Sequence, residues 1–350
     1  MAGQPRPIAS PFAATGDMAA HRMRALGLWG PRSATPGEVV RDLLALQSQE
    51  HAVARWSVAQ RMDRVAATSD IDDAFDRGEL VRTHVLRPTW HYVSPHDLRW
   101  LLRLSGPRIV RRHARYWAQF GLDAPSLSES TDVIAKAVEA GPCTRSELGA
   151  RIGRRGVPLR GPELAARVMH AELHMAVCSG PMRGGQHTYA AFDRRAGGEE
   201  GPSGDEALAL LARRYFTTRG PATVRDLAWW AGLSMSDARR GLELAADGLE
   251  LHEHGGRRYA FAPRARGPLG SDYDFIQCYD EAVVSYQESR DVLKTDRVSF
   301  EPLRRYDGFI HTVLRGGRLV GHWRFDRPGG SLEVRLADVV SSEEQQNLAD

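Results

Sequence analysis

The sequence predicts a mainly helical α+β fold, built as three tandem winged helix-turn-helix domains and a C-terminal β-rich lobe. Two observations carry this expectation. One is a repeated punctuation: "GPCTRSELGARI" from Gly141 and "GPATVRDLAWWAGL" from Gly220 both read Gly-Pro-x-Thr-x-x-acid-Leu. The other is what surrounds it. Each copy lies between two amphipathic helical patterns, and each unit closes on two short strand patterns that turn at Gly-Gly.

Along the chain, residues 1–16 are expected to form a flexible terminus, followed by a first winged-helix domain over 17–122. "DMAAHRMRALGLW" suits a helix, and "TPGEVVRDLLAL" suits another, with Thr35 as N-cap and Pro36 at its first position. "HAVARWSVAQRM" and "SDIDDAFDRG" are helical in pattern, "ELVRTHVLRPTWHYV" reads as a hairpin, and a linking helix is expected over 108–120.

The second domain is expected over 126–195 and the third over 204–263. Thr144 with Glu147, and Thr223 with Asp226, have the spacing of a capping box and its close relative, so each starts a helix. "RRAGGEEGPSGDE" from Arg194 is a linker by composition. Residues 264–350 turn strand-rich, with "FIHTVLRGGRLVGHWRF" a hairpin over Gly316 and Gly317.

Bulk composition excludes more than it identifies. The chain has 350 residues, enough for several cores, with 42% apolar and 26% charged residues and a net charge of only +3. Lys136 and Lys294 are the sole lysines. That arginine bias favours forked contacts to phosphates and carboxylates, and it also follows from a GC-rich genome. Cys143, Cys178 and Cys278 lack C-x-x-C spacing, so neither a zinc ribbon nor a disulfide framework is expected, and a reducing cytoplasm fits. No apolar run approaches the length of a membrane span, and no signal peptide is expected.

One stretch poses a question that helical periodicity cannot answer. "LLALQSQEHAV" places Gln47 and Gln49 at the end of a leucine-rich turn. In a helix, positions i and i+2 point about 200° apart and cannot serve one site. If the helix stops near Leu46 and the backbone extends, the two amides share a face. Taken alone, the pair reads equally as polar decoration at a helix end. Winged helices usually bind duplex DNA, with wing residues on phosphates. Arg183, Gln186 and His187 border one turn, Arg257 and Arg258 the other, and Arg111, Arg112 and Arg115 lie in the linking helix. Solvated arginines, or a protein-binding role for the wings, are the plain alternatives. No Walker A, dinucleotide fingerprint or H-E-x-x-H occurs. His84 and His91 have no evident third ligand, so no metal site is expected; Glu50 beside His51 has the makings of an acid–base pair and nothing more specific.

"LLALQSQE", "LVRTHVLRPTWHYVSPHDLRWLL" and "YDEAVVSYQESR", in that order, resemble the AlkZ and YcaQ group of bacterial DNA glycosylases from about Asp17 to Phe325. Gln47-Ser48-Gln49 matches the Gln-x-Gln motif of the AlkZ-like branch; the YcaQ branch carries Gln-x-Asp. The resemblance implies a monomeric, metal-free and cofactor-free enzyme. It would remove N7-alkylguanine from duplex DNA, crosslinks and bulky adducts included. It also implies a concave cradle in which Gln47 and Gln49 meet the sugar, with Thr89 and His91 as cleft neighbours. DNA contacts would come from Arg111, Arg112, Arg183, His187, Arg257, Arg258 and Arg290. In "YDEAVVSYQESR", Tyr279, Asp280, Glu281 and Arg290 shape the cradle or touch the backbone, unless Asp280 and Arg290 form a structural ion pair. Housekeeping repair and self-protection against a DNA-alkylating antibiotic fit equally, in the cytoplasm with the nucleoid. A non-catalytic winged-helix regulator is the alternative from another class.

Overall fold

The computed structural model describes residues 12, 14–153, 156–196, 198, 200–264, 270, 273–295, 310–326 and 330–337. Helix α1 (Thr15–Ala25) leads to α2 (Pro36–Leu43). Thr35 caps α2 by accepting from Glu38 N, and the Glu38 carboxylate returns to Thr35 N at 3.0 Å. The helix ends earlier than the sequence suggested. Leu44 adopts φ 68°, outside helical space, and Ala45–Gln47 follow as strand β1. Nothing in "LALQ" announces this: Leu44, Ala45 and Leu46 are all fully buried, so no alternation marks a strand.

Helices α3 (His51–Ala59) and α4 (Thr68–Arg77) lead to the hairpin β2 (Val81–His84) and β3 (Trp90–Val93). The sheet runs β1-β3-β2, antiparallel throughout. His91 on the central strand pairs with Gln47 on one side and Thr83 on the other. His84 pairs one position along, opposite Trp90, so it faces away from His91. A shared two-histidine site is thereby ruled out.

Helix α5 spans Pro95–Ala118, much longer than the linking helix expected over 108–120. The reason is Pro107: it removes an N–H and so imitates a helix start, yet the helix runs through it.

The next segment contains α6 (Ala124–Glu139), β4 (Cys143–Thr144), α7 (Arg145–Ile152), α8 (Gly161–Leu173), β5 (Val177–Ser179) and β6 (Thr188–Ala191). After it come α9 (Gly204–Arg219), α10 (Val224–Ala231), α11 (Met235–Leu244) and the ribbon β7 (Glu250–His254) with β8 (Arg257–Phe261). Both Thr-acid caps form as read, at Thr144–Glu147 and Thr223–Asp226. The final lobe has β9 (Asp274–Ile276), α12 (Glu281–Val284), β10 (His311–Arg315), β11 (Arg318–Asp326) and β12 (Ser331–Leu336), in sheet order β12-β11-β10-β9. Parts of the N-terminus, the linker and the C-terminal lobe expected from sequence lie outside the described residues. Helices with small antiparallel sheets make this an α+β fold, as expected.

Packing runs across the expected boundaries. One apolar cluster joins Val93, Leu101, Leu173, Leu211 and Trp230, from three of the expected domains. A second joins Val40, Leu46, Phe75 and Tyr92 to Ile276, Val283 and Leu314 of the last lobe. Buried ions reinforce the joint: Arg61 grips Asp280 through two bonds of 2.8 Å, and Arg219 meets Glu281 at 2.9 Å. The suggested Asp280–Arg290 pair is therefore replaced by Asp280–Arg61. Asp280 is fully buried, and the buried guanidinium within reach, Arg61, lies just past the end of α3.

Candidate active site

Gln47 occupies its place because three neighbouring peptide groups are held at once. Arg219 donates to Leu43 O at 2.8 Å and to Ala45 O at 2.7 Å, capturing carbonyls freed where α2 gives way to β1. Glu281 Oε1 accepts from Gln47 N at 2.8 Å, while Oε2 takes Arg219, Trp230 Nε1 and the Ser285 hydroxyl. Further along, Arg82 donates to Ser48 O at 3.0 Å and Gln49 O at 3.1 Å, with its guanidinium 4.3 Å over the Trp90 ring. The backbone from residue 43 to 49 is thus fixed by two arginines and one carboxylate.

Fixed in this way, Gln47 reaches a cleft of about 910 Å3 between the β2–β3 turn, α10 and the loop around α12. Gln47 is only 6% exposed, so it forms floor rather than rim. Guanidinium groups of Arg87, Arg112, Arg225 and Arg290 line the cleft with it. Ala228, Trp229, Leu233 and Met235 supply an apolar wall. Arg87 Nη2 donates to Gln47 Oε1 at 2.9 Å, which leaves that amide a second lone pair and its NH2.

The titratable groups nearest this floor are held far from neutrality. Burial alone would raise the Glu281 carboxyl; Arg219, the Ser285 hydroxyl and Arg87 outweigh it and hold it at about 2. Burial, helped by Arg87, lowers His91 to about 3. Its Nδ1 donates to Thr89 O at 2.9 Å, so the ring is neutral with Nε2 as a bare acceptor, fully buried and unpartnered among the described residues. His91 therefore supports the floor from behind and does not line the cleft.

The other expected residues separate into three groups. Thr89, Arg112 and Arg290 line the cleft beside Gln47. Gln49 does not: it lies past the end of β1, half-buried, with Oε1 3.4 Å from Trp90 N. The two amides do not open on one cavity, because the regular extended backbone stops at Gln47.

Arg257 and Arg258 line a neighbouring groove of about 720 Å3 along α10, α11 and the β7–β8 ribbon. That groove shares Arg225 and Met235 with the cleft. Arg257 is partnered by Asp291 at 2.7 Å.

Arg111, Arg183 and His187 lie away from both cavities. Arg111 is exposed on α5, and Arg183 sits at the β5–β6 tip in an ion pair with Glu147. His187 packs edge-on to His51 at 4.7 Å, and burial lowers it to about 4. The Glu50–His51 idea fails as well. His51 bonds the Tyr92 hydroxyl at 2.6 Å and burial lowers it to about 3, while Glu50 is exposed.

Arg87, Arg225 and Trp229 were missed by sequence reading. The "LRPT" turn between two strand patterns was the one available hint for Arg87; the other two reach the cleft only through tertiary packing. Among the described residues, no group of three metal-type side chains converges, and no helix is long and apolar enough to cross a membrane.

An α+β chain whose main cleft is walled by guanidinium groups over a neutral amide floor has the build of a polyanion-binding protein. Its sequence matches the AlkZ-like DNA glycosylase family over residues 40–350, and the chain belongs to that family. In three dimensions it is similar to the Streptomyces sahachiroi DNA glycosylase AlkZ, with a TM-score of 0.75 at 21% identity. That similarity covers 96% of this chain and 95% of the other. No curated protein matches the sequence.

Proposed function

We propose that the protein hydrolyses the N-glycosidic bond of N7-alkylguanine in duplex DNA, without metal or cofactor, as a monofunctional and monomeric glycosylase. The observation that carries this reading is Gln47, fixed at the floor of an arginine-lined cleft with Arg87 on its carbonyl.

N7-alkylguanine is already cationic, so its departure requires no protonation, unlike ordinary glycoside hydrolysis. Water adds to C1′, the C1′–N9 bond breaks with its electron pair on the base, and a proton passes to solvent. The residual barrier is the positive charge growing on the sugar and the placement of that water. The free lone pair and NH2 of Gln47 suit both tasks, and the buried Glu281 anion behind Gln47 N adds favourable field. Gln49 contributes from behind the strand end as a second amide dipole. Arg112, Arg225 and Arg290 hold phosphates, and Arg257 and Arg258 continue that contact along the adjoining groove.

The wall of Ala228, Trp229, Leu233 and Met235 is apolar and the cleft open, which favours bulky N7 adducts, crosslinks among them, over a closed base pocket. Repair of alkylation damage and self-resistance to an alkylating antibiotic both fit.

The test is incubation with duplex carrying N7-methylguanine, followed by alkaline cleavage at abasic sites. Strand scission is expected from the intact chain and about 100-fold slower from Gln47→Ala. Sequence-specific DNA binding with no abasic product would replace the enzyme with a regulator. Activity on methylated DNA, with none on crosslinked or bulky-adduct DNA, would remove the adduct claim alone.

A further inference from the structure

A second cleft, of about 580 Å3, opens between α1, α2 and α9 and shares no lining residue with the site described above. Arg24, Arg32, Arg41, Arg213, Arg214 and Arg264 line it, together with Arg61, whose charge is taken by Asp280. Asp42 is the single carboxylate in that lining.

What holds these arginines matters. Arg32 donates to Leu28 O at 3.3 Å, Arg213 to Asp247 O at 2.9 Å and Arg264 to Thr217 O at 3.0 Å. Arg214 donates to Arg41 O and lies 3.5 Å from Asp97. Carbonyls orient a guanidinium without neutralising it, and each bond leaves other N–H donors of the fork free. Among the described residues, Arg32, Arg41, Arg213 and Arg264 meet no carboxylate, whereas Arg55, Arg240 and Arg257 elsewhere on the surface do. Like charges lining one cleft repel, and a bound polyanion offsets that repulsion. Planar forks suit phosphate oxygens, which they can bind in pairs.

We propose that this second cleft binds a ligand carrying two or more phosphoryl groups. The ligand is either a free oligophosphate or consecutive phosphates of a nucleic-acid backbone. The inference stands apart from the glycosylase reading, since it uses none of the same residues.

Isothermal titration of the full chain with inorganic tripolyphosphate tests it. A saturable site is expected at this cleft, beside any phosphate held in the first. Arg41→Glu with Arg213→Glu, both exposed on α2 and α9, should weaken it on the order of 100-fold. The milder pair Arg41→Gln with Arg213→Gln should weaken it about tenfold. Arg240→Glu, on α11 and outside both clefts, should leave it unchanged. Competition separates the sources. If undamaged duplex displaces the triphosphate, and the double variant lowers the salt slope of DNA binding by about two, the phosphates are those of DNA. If duplex and triphosphate bind together, the ligand is a free oligophosphate. No saturable triphosphate binding, or binding that survives both double variants, overturns the proposal.

Discussion

Arg87 and Gln47 meet side chain to side chain: Nη2 of the arginine donates to Oε1 of the glutamine at 2.9 Å, where burial lowers the guanidinium's proton affinity. A charged donor on that carbonyl fixes the amide's orientation and enlarges its dipole before any substrate arrives. Gln47→Ala should lower single-turnover excision of N7-methylguanine about 100-fold, as expected for loss of one preorganised dipole. Arg87→Ala should cost about tenfold by releasing that dipole while the amide remains. DNA affinity should fall less than rate in both, by gel shift on undamaged duplex. A larger loss of affinity than of rate in Gln47→Ala would make the residue a DNA contact and no more.

The pH dependence of rate and of stability should part company. At the floor, Glu281 is held at about 2 and His91 at about 3, so neither changes charge near neutrality. Single-turnover rate should therefore be flat from about pH 6.5 to 8, without the inflection that a carboxylic acid or histidine catalyst would impose. An inflection near pH 7 that moves with a single substitution would identify a missed acid or base.

Stability behaves differently. Burial lowers His51, His91 and His311 from 6.5 to about 3, 3 and 4 in the folded chain. Between those values and 6.5 the unfolded chain binds more protons, so their contribution is complete above pH 6.5 and is lost as pH falls through that window. Glu281 adds a further loss between 4.5 and about 2. Each tenfold change in proton affinity is worth about 1.4 kcal/mol, so urea midpoints should drop steeply from pH 6.5 to 4.

The pair of Glu281 and Arg219 joins the last lobe to the turn that carries Gln47. Both are fully buried, and Glu281→Gln leaves the Arg219 charge uncompensated. Breaking one side of such a pair costs about 3–5 kcal/mol, so a loss of that size is expected in urea unfolding. Asp280→Asn should cost a similar amount through Arg61, yet spare the rate per folded molecule, because Asp280 does not touch the peptides of residues 43–47. Equal rates per folded molecule in the two variants would show that Glu281 supports the fold alone.

These relationships mark where sequence reading succeeds and where it stops. Thr144–Glu147 and Thr223–Asp226 were legible because a capping box is local: both partners lie within three residues and their types suffice. Hairpins at Gly184–Gly185, Gly255–Gly256 and Gly316–Gly317 were legible for the same reason, since both glycines of each pair adopt positive φ. The motif at Gln47 was visible as a pattern, but not its setting. Leu44 takes a left-handed backbone without being glycine, so no residue type announced the switch to β1. Arg61 with Asp280 spans 219 positions and Arg219 with Glu281 spans 62, distances over which composition carries no pairing signal. Asp226 shows both regimes at once. Its Oδ2 closes a local cap readable from sequence, while Oδ1 accepts from the backbone N–H groups of Gln287, Glu288 and Ser289, which no local pattern foretells.

Gly232 offers a test of how closely the β2–β3 turn must approach α10. It caps α10 at φ 62° and lines the cleft. A Cβ built there would lie 2.4 Å from Leu86 O, a backbone atom that cannot swing aside. Leu86 is itself held: it is buried at φ 63°, and its N–H donates to Ser105 Oγ at 3.0 Å. Relief of the clash must therefore move α10 or the turn, and the turn carries Arg87 and Thr89. Gly232→Ala should lose more than about 2 kcal/mol, from the left-handed backbone and the overlap together. Its excision rate per folded molecule should also fall, because Arg87 no longer reaches Gln47 in the same geometry. Gly121→Ala provides the comparison: Gly121 also has positive φ, at 70°, but a Cβ there meets nothing within 4 Å. It should show the backbone cost, about 1 kcal/mol, with full activity. If both variants unfold at the same urea concentration and cleave at the same rate, the approach of Leu86 to α10 is slack, and Arg87 does not depend on it.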